Sequence, residues 1–303
     1  MTRVAAVDVG TNSVRLLVAE PGDPLTEIHR DTRITRLGAG VDANGRLDDS
    51  ALARTLDCIG HYAGAWADLG ATRVRIAATS AVRDAADRER FFDGAQQRSG
   101  VLPEVLTGEQ EARTAFAGAT CSVTGDPPFL VLDIGGGSTE LILGDRAPAA
   151  MVSRQLGCVR LTESHLGGNP PAPAEVEGAR AVIDGHLDAV EGSLDPASAR
   201  TLVGVAGTVT TLAALHLELR TYLPQRIHGT RVPYARVRAL TERLVAMPSA
   251  EIAALGPVAP GREDVIVGGA LILERVMARY GFADVLVSEA DILDGLALEL
   301  LRG

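Results

Sequence analysis

Ala6-Val7-Asp8-Val9-Gly10-Thr11-Asn12-Ser13-Val14-Arg15-Leu16-Leu17-Val18 is answered later in the chain by Val131-Leu132-Asp133-Ile134-Gly135-Gly136-Gly137-Ser138-Thr139-Glu140-Leu141-Ile142-Leu143. Asp8 falls over Asp133, Gly10 over Gly135 and Ser13 over Ser138. Each copy reads as a strand, a tight turn of small residues and a second strand. Glycine in such a turn permits positive φ and close backbone approach, so successive N–H groups can converge on an anion. The aspartate that ends the first strand can hold a cation or its water. Two such turns facing each other would hold one phosphate chain and its Mg2+ from both sides. A single Gly/Asn/Ser turn is weak evidence, because hairpins use the same residues for purely structural reasons. Two copies, each opening an α/β pattern between long apolar strands, favour function.

Working outward, residues 3–9 and 13–19 form the first expected hairpin, and Ile28–Leu37 alternates as a third strand. Leu52, Leu56, Ile59, Ala63, Trp66 and Leu69 recur at helical spacing behind Asp48 and Asp49, candidate caps, and Gly70 ends that helix. A buried strand follows at Arg73–Thr79, then a polar helix over 84–98, a strand at Leu102–Leu106 and a helix at Gly108–Gly118. Pro127-Pro128 sits in a polar loop just before the second copy, which places a boundary there: one domain over 1–125, the other over 126–303. The second half repeats the scheme with a hairpin over 129–144, a strand near Ala150–Leu156, a Pro-rich loop at 169–173 and a helix over 174–193. A strand at Thr201–Val205, helices near 208–219, 234–247 and 264–280, a strand at Asp284–Ser288 and a helix at Ile292–Leu301 complete it. The order implies an α/β fold with two mixed sheets.

The chain has 303 residues, 46% hydrophobic and 22% charged, and a formal net charge of −10. That composition is globular, and its length suffices for two cores. A net negative chain without a basic face argues against nucleic-acid binding, which draws on counterion release. No apolar run reaches the ~18 residues of a membrane span, and Met1-Thr2-Arg3 leads straight into a strand, so the expectation is a cytoplasmic protein. Cys58, Cys121 and Cys158 lack any CxxC spacing and read as small buried residues rather than disulfides or zinc ligands. The six histidines show no metal spacing either. All 29 basic residues are arginine. Mechanisms that require a P-loop or Schiff-base lysine are therefore excluded, and arginine must pair any phosphate.

Several segments carry a closer likeness: Asp8–Ser13, Ala78-Thr79-Ser80-Ala81-Val82-Arg83, Gly108-Glu109-Gln110-Glu111-Ala112-Arg113, Asp133–Glu140 and Val205-Ala206-Gly207-Thr208. On these the chain resembles the exopolyphosphatase and guanosine-pentaphosphate phosphatase (Ppx/GppA) family, in its short two-domain form. The resemblance implies two ribonuclease H-like (actin-like) domains, each a mixed sheet flanked by helices, with the active site in the cleft between them. It implies Mg2+-dependent hydrolysis of a phosphoanhydride by water, with inorganic polyphosphate or guanosine pentaphosphate as substrate. A homodimer is left open.

Carried over residue by residue, the resemblance makes Glu111 the general base, with Glu140 and Asp133 also catalytic. Asp8, Asp133 and Glu140 would organise metal. Gly10, Thr11, Asn12, Ser13, Arg83, Gly135, Gly136, Gly137, Ser138, Gly207 and Thr208 would hold phosphate. A carboxylate in Glu111's place can take a proton from attacking water. The same residues also suit a helix start, since Thr107 with Gln110 makes a capping box and Glu109 and Glu111 favour the helix dipole. Glu140 stands where Arg15 stands in the first copy, so the two hairpins offer opposite charges at equivalent points. Arg83 follows the carboxyl end of a strand, a common place for ligand contacts. Arg262-Glu263-Asp264 reads as a helix cap at least as readily as a catalytic segment.

The chain departs from the family pattern at Asp87, where asparagine is expected, at Ala206, where a glycine is expected, and at Leu293, where an arginine is common. A sugar-kinase-type phosphotransferase would share the fold but needs an acceptor-binding insertion and an aspartate base, which are not identifiable. A polyphosphate or nucleotide sensor without hydrolysis is the remaining alternative, given those departures.

Overall fold

The computed structural model describes residues 2–22 and 25–302. The chain divides into two compact units, one made of residues 1–121 with 291–303, the other of 122–290.

In the first unit the strands are β1 (Val4–Val9), β2 (Ser13–Glu20), β3 (Thr26–Ile34), β4 (Arg73–Ala78) and β5 (Glu104–Val105). Its helices are α1 (Val41–Asn44), α2 (Asp49–Asp68), α3 (Ser80–Asp84), α4 (Glu89–Ser99) and α5 (Gly108–Thr120). The sheet runs β3-β2-β1-β4-β5, with β1 antiparallel to β2 and parallel to β4. β1 is buried along its whole length, as a central strand covered on both faces must be, and this explains its unbroken apolar run around one aspartate. β3 lies at the edge and is largely exposed or half-buried.

The second unit contains β6 (Phe129–Ile134), β7 (Thr139–Gly144), β8 (Pro148–Arg154), β9 (Thr201–Val205), β10 (Arg231–Pro233) and β11 (Asp284–Val287). Its helices are α6 (Cys158–His165), α7 (Pro173–Asp188), α8 (Ala206–His216), α9 (Pro224–Ile227), α10 (Tyr234–Val245), α11 (Ser249–Ala253) and α12 (Ile266–Tyr280). Read from the edge, β8-β7-β6-β9-β11 repeats the order of the first sheet, and β10 adds an antiparallel edge strand. The hairpins coincide in register as well: Asp8 pairs with Arg15 across β1 and β2, and Asp133 with Glu140 across β6 and β7. Two mixed sheets flanked by helices, built from one repeated plan, are the fold the duplicated motif implied.

The last helix, α13 (Ile292–Arg302), belongs to the first unit, not to the second as the sequence order suggested. Small residues explain the attachment. The Cα of Gly118 on α5 faces the carbonyl of Asp291, where a Cβ would lie 1.8 Å from that oxygen. Gly295 meets the Thr114 carbonyl in the same way, at 2.0 Å. Side chains then fasten the crossing: Arg15 to Asp291, Arg30 to Asp294, and Thr114 to Glu299. Other boundaries shift modestly. The polar helix expected over 84–98 is two helices, α3 and α4, parted by a loop in which Asp87 accepts from the Leu47 amide and pairs with Arg90 and Arg46. α6 was not anticipated at all.

Asp48 does cap α2, accepting from the Ala51 amide at 2.9 Å, and Thr107 with Gln110 does form a capping box on α5. Asp264 does not cap α12, whose capping position is Val265 without a side-chain bond. Cys58 and Cys158 are buried, whereas Cys121 is exposed at the end of α5, contrary to the reading of all three as buried.

Candidate functional site

In the first unit the turn between β1 and β2 is closed by the Gly10 amide on the Ser13 carbonyl at 2.9 Å. The segment after β3 folds back over it. Gly38 donates to the Thr11 carbonyl, and Thr35 and Arg36 both donate to the Asn12 carbonyl. Arg36 reaches this position at φ +54°, and the Cα of Gly38 packs against the Thr11 side chain. Thr11 in turn shares a buried hydrogen bond with Ser80, the first residue of α3, at 2.9 Å. A trans peptide sets its N–H opposite the preceding C=O, so once the Thr11 and Asn12 carbonyls are taken from one side, the amides of Asn12 and Ser13 point to the other.

Asp8 and Asn12 are both buried, and Asp8 Oδ1 and Asn12 Oδ1 have no hydrogen-bond partner. Asp8 Oδ2 accepts from Arg15 Nη2 at 2.7 Å, and Arg15 is held on its other side by Asp291. Burial raises the Asp8 carboxyl above its ordinary range, against the opposing charge of Arg15. Burial alone would lower Arg15, but Asp291 and Asp8 hold it well above the usual guanidinium range, so it stays charged.

Glu111, in the first turn of α5, is 7% exposed. Its Oε2 accepts from Arg83 Nη1 at 2.9 Å, and the same nitrogen donates to the Leu106 carbonyl at 2.9 Å. Burial pushes the Glu111 carboxyl up to about 7, with Arg83 pulling the other way and the charge of Asp8 adding to the rise. A buried carboxyl with an orienting cation, titrating near neutrality, has the properties of a general base. Glu109 instead forms an exposed pair with Arg113 one helical turn on. Its role is that of a solvent-facing helix residue.

The second unit repeats the turn with heavier support. Gly135 donates to the Ser138 carbonyl at 3.0 Å. The start of α6 then takes the turn's carbonyls: Cys158 donates to Gly135, and Val159 and Arg160 both donate to Gly136. Gly157 is needed for this approach, because a Cβ there would lie 2.2 Å from the Gly136 carbonyl oxygen. Asp133 and Glu140 are adjacent across the hairpin and buried, and Ser153 donates to Glu140 Oε1 at 2.6 Å.

At the β9–α8 junction Ala206 adopts φ +62°, a left-handed conformation that a glycine would take without strain. The following Gly207 has the Arg262 guanidinium directly against it, since a Cβ at Gly207 would fall 1.5 Å from Arg262 Nη1. Thr208 is buried and packs its side chain against Gly269 of α12. Arg262 was read as part of a cap, so its place beside the first turn of α8 was missed. Only the folded chain brings those segments together. Leu293, where the resemblance led to an expectation of arginine, is fully buried on α13.

Mg2+ binds oxygen donors, commonly one or two carboxylates, with waters and substrate phosphates completing its shell. The two buried, unpartnered oxygens of Asp8 and Asn12 suit such an ion. Among the described residues no group of three or more His, Cys, Asp or Glu is arranged as a metal cage. Also among the described residues, no helix is long and apolar enough to cross a membrane.

Comparison with known proteins places these features in context. The chain is 44% identical to exopolyphosphatase 2 of Mycobacterium tuberculosis, over 99% of each protein. It is 29% identical to a guanosine-5'-triphosphate,3'-diphosphate pyrophosphatase of Aeromonas hydrophila, over 98% of this chain and 59% of that protein. Among solved structures, an exopolyphosphatase-like protein superimposes with a TM-score of 0.95 at 37% identity, over 99% of both chains. A Ppx/GppA enzyme of Aquifex aeolicus superimposes with a TM-score of 0.83 at 32% identity, over 98% of this chain and 99% of that one. Residues 17–302 match the model of the Ppx/GppA phosphatase family, and the chain belongs to that family.

Proposed function

We propose that this protein is an exopolyphosphatase that hydrolyses the terminal phosphoanhydride of inorganic polyphosphate. The observation that carries the reading is Glu111, a buried carboxyl raised to about 7 and oriented by Arg83, in a chain so similar along its length to an exopolyphosphatase. Glu111 accepts a proton from water as the water oxygen attacks the terminal phosphorus. The bridging P–O bond breaks, and the shortened chain leaves with that oxygen.

The remaining groups bind and orient. The amides of the Gly10–Ser13 turn and those of the Gly135–Ser138 turn each hold phosphate oxygens, in the manner of an anion nest. Arg83 orients the base through Nη1, and its remaining donors serve the phosphate. Asp8 and Asn12 would hold Mg2+, and Asp133 and Glu140, paired across the second hairpin, would order water there. Bound there, the ion would neutralise charge on the phosphate oxygens. Gly207 with Arg262 offers a further anion contact, while Thr208 supports it from within the core. Three free cysteines suit a reducing compartment, and we place the protein in the cytoplasm.

Guanosine pentaphosphate presents the same phosphoanhydride and is the alternative substrate. The full-length similarity to an exopolyphosphatase favours polyphosphate. The test is phosphate release by purified protein from polyphosphate, guanosine pentaphosphate, or ATP with glycerol, each with and without Mg2+. Mg2+-dependent release from polyphosphate that disappears in Glu111→Gln is expected. Binding without release would replace the reading by a sensor, and transfer to glycerol by a kinase.

A further inference from the structure

The two phosphate turns are held from behind by different means. In the first, three backbone amides, those of Thr35, Arg36 and Gly38, occupy the carbonyls of Asn12 and Thr11. In the second, the carbonyl equivalent to that of Asn12 belongs to Gly137, and a side chain takes it: Arg160 Nε donates to the Gly137 oxygen at 2.7 Å. The Arg160 backbone amide meanwhile donates to Gly136 at 3.1 Å, and its Nη2 donates to Gln155 Oε1 at 2.7 Å. One residue thus grips two consecutive peptide units of the turn, and Gln155 fixes the plane of its guanidinium.

The consequence follows from peptide geometry. With the carbonyls of Gly135, Gly136 and Gly137 all turned toward α6, the amides of Gly136, Gly137 and Ser138 are turned away from it as a set. None of the three donates a loop or turn hydrogen bond to the backbone among the described residues. Consecutive amides on one side of a turn form an anion-binding concavity. Three glycines in a row would sample many other conformations unless held. We propose that Arg160 is a positioning residue: it fixes the Gly137–Ser138 peptide so that the second turn presents a complete three-amide cradle to a phosphate group. The guanidinium supplies the clamp that the backbone supplies in the first turn. This rests on the reading of the turn as a phosphate cradle.

The experiment compares Arg160→Gln and Arg160→Lys with the parent. In a Glu111→Gln background, tripolyphosphate binding is measured by calorimetry; in the active background, KM and kcat are measured on polyphosphate, and thermal midpoints are recorded for all. Arg160→Gln is expected to weaken tripolyphosphate binding and raise KM by about tenfold or more, with kcat less affected. Arg160→Lys, which keeps a donor for the Gly137 carbonyl, recovers a substantial part of both. Should Arg160→Gln fail to fold, Arg160→Lys and Gly157→Ala, which presses on the Gly136 carbonyl from the same side, carry the comparison. Binding and KM within twofold of the parent in the folded variants overturn the positioning role and leave the hydrolytic reading intact. A parent that binds tripolyphosphate but releases no phosphate overturns the hydrolytic reading, and the binding series still decides on Arg160. A parent that binds no tripolyphosphate overturns both.

Discussion

Arg83 holds Glu111 through a single nitrogen, Nη1, which donates at 2.9 Å both to the carboxylate and to the Leu106 carbonyl. The backbone contact anchors the guanidinium to the chain just before α5, so the carboxylate is aimed by a fixed donor. Removing the proposed base by Glu111→Gln is expected to lower kcat by ~10²–10⁴-fold, the usual worth of general-base catalysis. Arg83→Lys keeps a positive charge but loses the planar fork and should cost activity as well. Steady-state rates of phosphate release check both, and retention of parental kcat by Glu111→Gln would remove the residue from the chemistry.

With Glu111 as the proposed base, its raised carboxyl would set the pH profile of activity. Glu111 accepts a proton only when ionised, so kcat should climb as pH passes through about 7 and level off above it. A kcat already constant from pH 5 upward would place the base elsewhere.

The same shift acts on stability with the opposite trend. A carboxyl raised from 4.5 to about 7 by burial binds its proton more tightly in the folded state than in the unfolded chain. Between those values the native protein carries more protons, so stability falls as pH rises through this window. Glu111→Gln cannot ionise and escapes the loss. Relative to the parent, the variant should therefore gain stability between pH 5 and pH 8, on the order of 2 kcal/mol. Urea midpoints at the two pH values measure this difference.

Arg15 joins Asp8 to Asp291 and so ties the first turn to the start of α13. Its side chain is mostly buried, and Asp8 and Asp291 are more so. Arg15→Ala leaves two buried carboxylates without their cation, and breaking a buried pair in this way costs ~3–5 kcal/mol. Asp291→Asn keeps an acceptor and leaves Arg15 paired with Asp8, so its cost should be smaller, about 1–2 kcal/mol. Equilibrium denaturation with an unchanged m-value tests the order.

The parts of this architecture that were legible in the sequence are those encoded locally. The hairpins are visible because β1 and β6 are buried on both faces and must be apolar throughout, and the caps of α2 and α5 because side chain and amide lie within three residues. The equivalence of Arg15 and Glu140 follows from alternation along a paired strand, and the register agrees with it. What was hidden depends on contacts between distant segments. α6 is eight residues long with no side-chain cap, so it leaves little periodic signal. The placement of α13 is decided by Gly118 and by arginines on β2 and β3, far away in the chain. The Glu111 environment is similar, since Arg83 arrives from α3.

Ala206 and Gly207 make opposite predictions at neighbouring positions. Ala206 adopts φ +62°, which costs an alanine ~1–2 kcal/mol relative to glycine, and a glycine would give back roughly half of that through a more flexible unfolded chain. Ala206→Gly should therefore stabilise the protein by about 0.5–1 kcal/mol. At Gly207 a methyl group would collide with the Arg262 guanidinium, the far end of a long, flexible side chain that would have to shift. Gly207→Ala should cost little stability, yet it moves the Arg262 guanidinium packed against the start of α8. If that cation helps to hold phosphate, KM for polyphosphate rises several-fold in Gly207→Ala while the thermal midpoint stays within a few degrees of the parent. An unchanged KM would assign Arg262 to support of the loop alone.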